Sequence, residues 1–238
     1  MKKILFIVLL LFTTIVYSKG KPKLLIHPTD NNTEDSFVFN AESNQYTNTT
    51  YINTSVIYSM TNGIDIGVMS TNIPVWQTGN TQAQNLQDDT FLILNKTFNT
   101  KYVDFILGTQ SGYQLYTYSP AQPGSPGKLQ KFYFTDNVFK INEIINVHFG
   151  FYYSNKALTT TTNFIGEMGG ASVRFNDQYK LTVDTLSNQS NVSGTSANLH
   201  YFVIPKVDIY GGWFFPAHNS YNYNFLNFGI NISTSALN

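Results

Sequence analysis

The sequence predicts an all-β chain, an up-and-down antiparallel transmembrane β-barrel of about 12 strands. Period-two alternation recurs along the chain. In INVHFGFYYSN (145–155), Ile145, Val147, Phe149, Phe151 and Tyr153 share one parity, and Asn146, His148, Gly150, Tyr152 and Ser154 share the other. The links between such segments alternate in length, tight turns with long polar loops. Charged residues make up 12% and aromatics 16% of the chain, where an ordinary soluble domain carries roughly 25% charge.

Strands are expected near 34–40, 49–60, 63–71, 89–98, 101–117, 129–136, 143–153, 163–175, 178–186, 196–204, 206–215 and 223–233. Most are long enough for a tilted strand to cross a bilayer, which takes about 9–11 residues, whereas a soluble sandwich favours about five or six. Thr61-Asn62-Gly63 carries the Asn-Gly preference of a tight hairpin, and Asn99-Thr100, Asn176-Asp177 and the corner at Pro205 are equally short. Longer links occupy 72–88, 118–128, 154–162, 187–195 and 216–222. Even strand number and both termini on the short-turn side suit a membrane barrel. Two aromatic girdles are expected: Tyr152, Tyr153, Trp213, Phe214, Phe215, Tyr221 and Tyr223 at the long-loop ends, and Phe98, Tyr102 and Phe175 at the short-turn ends.

The 238 residues show no composition break, so one domain is expected over 34–238, preceded by an N-terminal segment over 19–33. Residues 1–18, MKKILFIVLLLFTTIVYS, have two lysines, an apolar run and a Val16-Tyr17-Ser18 end, the pattern of a cleaved secretory signal peptide. Without them the chain keeps 12 Lys+Arg against 14 Asp+Glu. A near-neutral chain has no electrostatic footprint for nucleic acid. With no cysteines there is no disulfide framework, thiolate site or cysteine nucleophile. No later segment is apolar for long enough to span a membrane as a helix.

The signal, the alternation and the loop rhythm resemble the outer-membrane β-barrel (porin-like) proteins of Gram-negative bacteria. The last third, from GEMGGASVRFNDQYKLTVDT to YFVIPKVDIYGGWFFPAHNSYNYNFLNFGINIS, resembles the closing hairpins of such barrels. The resemblance implies short periplasmic turns, longer external loops, outer-membrane lipid around the chain, and insertion by the barrel-assembly machinery. One departure is the end of the chain, where Phe228, Ile230 and Ile232 precede a TSALN tail and not a terminal aromatic.

Parity assigns faces. Ile145, Val147, Phe149, Phe151, Leu181, Val183, Leu199, Tyr201, Val203, Ile209, Trp213, Phe228 and Ile230 are expected to point outward, with no charge among them. In strand 163–175, Glu167 and Arg174 have opposite parity, so a bulge at Gly169-Gly170 is expected, turning Phe164, Gly166 and Met168 outward and both charges inward. The pore-lining set is then Glu167, Arg174, Lys180, Asp184, His200, Lys206, Asp208 and Tyr210.

Three functions fit. One is a narrow passive channel for small polar solutes, filtered by those charges. The second is a closed structural barrel whose interior charges satisfy one another. The third is a lipid hydrolase at the external rim, in which His218 activates Ser220 within His218-Asn219-Ser220. His27, His148, His200 and His218 show no chelating spacing, so neither metal nor cofactor is expected. Asn-x-Ser/Thr sequons at Asn48, Asn53, Asn95, Asn188 and Asn191 follow from an Asn- and Thr-rich composition.

Overall fold

The computed structural model describes residues 35–46, 49–77, 86–118, 128–159, 164–187, 193–217 and 224–234. Twelve strands follow in order: β1 (Ser36–Gln45), β2 (Thr49–Ser59), β3 (Ile64–Gln77), β4 (Leu86–Phe98), β5 (Val103–Tyr118), β6 (Leu129–Lys140), β7 (Ile145–Ser154), β8 (Phe164–Arg174), β9 (Tyr179–Leu186), β10 (Gly194–Ile204), β11 (Val207–Pro216) and β12 (Phe225–Ser233). Each pairs antiparallel with its neighbour in sequence. β1 pairs with β12, from Val38 opposite Ser233 to Gln45 opposite Leu226, which closes the barrel. Closure leaves no free sheet edge. A single helical turn, α1 (Lys156–Thr159), follows β7.

Side-chain chemistry builds the short turns. At Gly63 the backbone is left-handed (φ 78°), and its N–H donates to the Met60 carbonyl at 2.9 Å. Asn142 and Asn176 make the same local turn: Asn142 Oδ1 accepts from the backbone N–H of Ile144 and Ile145 at 2.8 and 2.7 Å, and Asn176 Oδ1 from Gln178 and Tyr179 at 2.8 and 2.9 Å.

Two expectations about strand regularity are corrected. β8 holds an unbroken register against both neighbours through Gly169 and Gly170, so the expected bulge is absent. Phe164, Gly166 and Met168 therefore take the inward parity, with Met168 only 3% exposed, while Ile165 at 76% and Glu167 face out. Register shifts lie elsewhere, beside Asp89 in the β4–β5 pair, at Phe202–Ile204 in the β10–β11 pair and twice in the β2–β3 pair; at one of the latter Thr71 and Asn72 together oppose Asn53 of β2, and Asn72 has φ 68°. β3 continues past it to Gln77, six residues beyond the expected end.

The outer face is apolar. Val56, Val68, Leu92, Leu94, Leu107, Val147, Phe149, Leu199, Ile209 and Phe228 are exposed on it. Among strand residues with described side chains, the outward charges are Lys96, Lys131 and Glu167, each close to a strand end. Aromatics gather at both rims: Phe98, Tyr102, Phe105, Phe139, Phe175 and Tyr179 by the short turns, and Tyr113, Tyr133 and Phe215 by the long links. This is the banding of a barrel in lipid. Tyr152 and Phe214 leave the expected girdle, because their parity turns them inward to burial. Tyr221 and Tyr223 lie outside the described residues.

Candidate functional site

The inner face is the place where this fold can do chemistry or select a solute, and two materials line it. Ile57, Met69, Phe91, Ile93, Ile106, Phe132, Phe134, Tyr152 and Met168 form one apolar cluster on β2 to β8, and α1 adds Leu158. Phe132 stacks on Tyr152 at 5.2 Å. A second aromatic group, Tyr46, Tyr51, Phe214 and Phe225, lies towards the long-link end of β1, β2, β11 and β12.

Polar side chains run between these groups as a hydrogen-bonded belt. It begins at Thr182, whose hydroxyl meets His200 Nε2 at 3.2 Å, and passes through His200 Nδ1 to Asp208 at 2.7 Å. Asn231 donates to Asp208 at 3.2 Å and accepts from Asn40 at 2.7 Å. Asn40 also donates to Tyr210, which donates to Glu42 at 3.0 Å. Asn53 links Glu42 to the backbone N–H of Asn72, and Asn72 and Gln130 both donate to Asp89, at 3.1 and 3.0 Å. A second link joins Asp136 of β6 to Asp184 of β9 through His148, whose Nδ1 and Nε2 each lie 2.9 Å from a carboxylate. The ring thus bridges two carboxyl groups on strands three apart, using both of its nitrogens.

Glycine makes the longer reaches possible. His148, Gly170 and Asp184 stand in one row on β7, β8 and β9, and a Cβ at Gly170 would come 2.5 Å from His148 Nε2. Tyr210 crosses Gly229 in the same way to reach Glu42; a Cβ there would come 2.4 Å from the phenol oxygen. Near the short-turn end, the Arg174 guanidinium lies 4.7 Å and Lys180 Nζ 5.6 Å from the centre of the Phe202 ring, within cation–π range. Lys140 pairs with the fully buried Asp104 at 2.7 Å.

Of the residues expected to line the interior, Arg174, Lys180, Asp184, His200, Asp208 and Tyr210 take the inward parity. Glu167 does not. It stands opposite Phe151 on the outer face because β8 has no bulge. Lys206 does not sit on a strand either; it is the exposed left-handed corner of the β10–β11 turn (φ 66°), and its carbonyl accepts from Ser233 N–H. His27, His218 and Ser220 lie outside the described residues, and Asn53 and Asn95 are buried lumen residues. Sequence reading missed Glu42, Asp65, Asp89, Asp104, Asp136 and Lys140. For Asp104 the alternation Val103, Phe105, Leu107 marks it as inward; for Asp89 the register shift beside it hides the parity.

No family model matches the sequence, and no curated protein matches it either. Similarity appears in three dimensions. The fold is that of solved outer-membrane barrels. The NanC porin matches with a TM-score of 0.54 at 12% identity, covering 82% of this chain and 97% of that one. The outer membrane phospholipase A from Escherichia coli gives 0.48 at 12% identity, covering 88% and 93%. At such identities the likeness is one of fold.

Proposed function

We propose that the protein is exported through a cleaved signal over residues 1–18, is inserted in the outer membrane by the barrel-assembly machinery, and provides a narrow passive path for small polar solutes. The observation that supports the path is the polar belt. Filling a sealed interior with apolar side chains is often as stable as burying ion pairs, or more so. This chain instead directs Glu42, Asp89, Asp104, Asp136, Asp184 and Asp208 into the lumen, together with two imidazoles, Lys140, Arg174 and Lys180. Such a lining suits polar solutes in transit.

One observation favours a second reading, the closed barrel: Phe91, Phe132, Tyr152, Phe214 and Phe225 fill the interior and are almost fully buried. Single-channel recording of the refolded protein in a planar bilayer decides between the two. Discrete conductance steps are the expected result; a silent, correctly folded barrel would establish the plug. The hydrolase alternative is tested separately. Fatty acid release from phospholipid that Ser220→Ala abolishes would replace the channel reading.

A further inference from the structure

Among the described side chains of the wall formed by β3 to β6, the buried atoms that lack a hydrogen-bond partner are Thr71 Oγ1, Asn72 Oδ1, Asn95 Oδ1, Gln110 Oε1 and Gln130 Oε1. All are oxygens. On the wall formed by β10 to β12 and β1 the corresponding set is mixed, with both amide atoms of Asn44, Asn198 and Asn227. A group of buried oxygen acceptors with no donor is costly unless something positive meets it.

Three of these oxygens belong to side chains grouped around Asp89. Thr71 stands directly opposite Asp89, and the β3 bulge brings Asn72 inward beside it. Gln130 reaches Asp89 from two strands away, across β5, where the position facing it is Gly112. These side chains are only 1%, 4% and 4% exposed, respectively. The Asp89 carboxylate takes an N–H from each amide, which fixes both amides, leaves their oxygens for another partner and increases their negative character.

We propose that Asn72 and Gln130, oriented by Asp89, form with Thr71 a binding station for a hard metal cation on this wall. Neutral oxygens from amide and hydroxyl groups are ligands that calcium-class and alkali cations accept. A single carboxylate, standing behind two of the ligands, sets a weak affinity. Among the described residues no three His, Cys, Asp or Glu side chains converge on a metal position, so this site differs in kind from an imidazole or carboxylate cage. The station does not depend on conduction, because a closed barrel can hold the same ion.

Equilibrium binding to the folded full-length protein in detergent tests it, with Ca2+ and, separately, K+ at constant ionic strength. Saturable uptake of about one ion per chain is expected, with a dissociation constant for Ca2+ of about 0.1–1 mM. Gln130→Met should abolish it, Asp89→Asn should weaken it by about 10–100-fold, and Glu167→Gln on the outer face should leave it unchanged. Heat-modifiable gel mobility verifies folding; where Asp89→Asn fails to fold, Thr71→Val replaces it, with weaker binding expected. Absence of saturable binding for both ions, or binding that survives Gln130→Met, would overturn the station. Conductance recorded on the same samples reports on the channel independently.

Discussion

On the wall formed by β4 to β8, inward positions carry Phe91, Ile93, Phe132, Phe134, Tyr152 and Met168 in one apolar cluster, whereas on β10 to β12 and β1 they carry His200, Asp208, Tyr210, Asn231, Asn40 and Glu42 joined by hydrogen bonds. Apolar packing is non-directional and tolerates a change of shape if volume is kept. A buried polar chain depends on each partner, because a missing one leaves an orphaned donor, acceptor or charge. One barrel thus contains a forgiving apolar cluster and exacting polar chains, with His148 tying β6 and β7 to β9 beside the cluster.

The largest effects are expected where each kind of lining, the apolar cluster and the polar chain, loses a whole side chain. Phe132→Ala and His148→Ala should each cost about 3–5 kcal/mol, the first by opening a cavity and the second by leaving Asp136 and Asp184 without the ring that bridges them. Conservative variants should separate the two: Phe132→Leu should recover most of the loss, to within about 1.5 kcal/mol of wild type, and His148→Gln should recover little. Denaturant titration in lipid vesicles measures both, and equal recovery would erase the distinction between apolar and polar lining.

The lipid face provides the next contrast. Phe149→Arg should destabilise the inserted barrel by about 2–4 kcal/mol if residue 149 lies near the bilayer midplane, while Asn146→Arg, of inward parity, should cost much less. Similar losses at both would reverse the face assignment. Tyr210→Phe should cost about 1–3 kcal/mol, because the ring still packs while Glu42 loses a donor. A neutral result there would mean that the belt is not under tension to keep its partners. The smallest effect concerns selectivity: in an open channel Lys180→Gln should move the reversal potential under a salt gradient towards cations, and Lys206→Gln, at the exposed turn, should not. A shift from Lys206 alone would put the filter at the mouth.

The architecture was legible because lipid and lumen impose opposite chemistry on alternate residues, and each of the twelve strands was anticipated. The tight turns were legible through Asn62-Gly63 and Asn176. Bulges were not. Gly169-Gly170 looked like a bulge from composition, yet Gly170 is there to let His148 through; the bulge that forms at Asn72 accompanies its bonds to Asn53 and Asp89, partners distant in sequence. Glu167 was misplaced for the same reason: near a strand end an outward carboxylate can reach water or headgroups, so charge there does not report the lumen. Asp89 was not legible because the register shift beside it breaks the alternation of faces.

The crossing of Tyr210 over Gly229 has a consequence for assembly. Glu42 and Tyr210 lie 168 residues apart in the chain, on strands that become next-nearest neighbours only when β12 docks against β1. Hairpins such as β6–β7 need only local contacts and can pair early, whereas this strut cannot exist before the ring has shut. The Tyr210 hydroxyl is therefore a clock for the final event of folding: its hydrogen bond reports circularisation, and a hairpin intermediate with every neighbouring strand already zipped would still lack it.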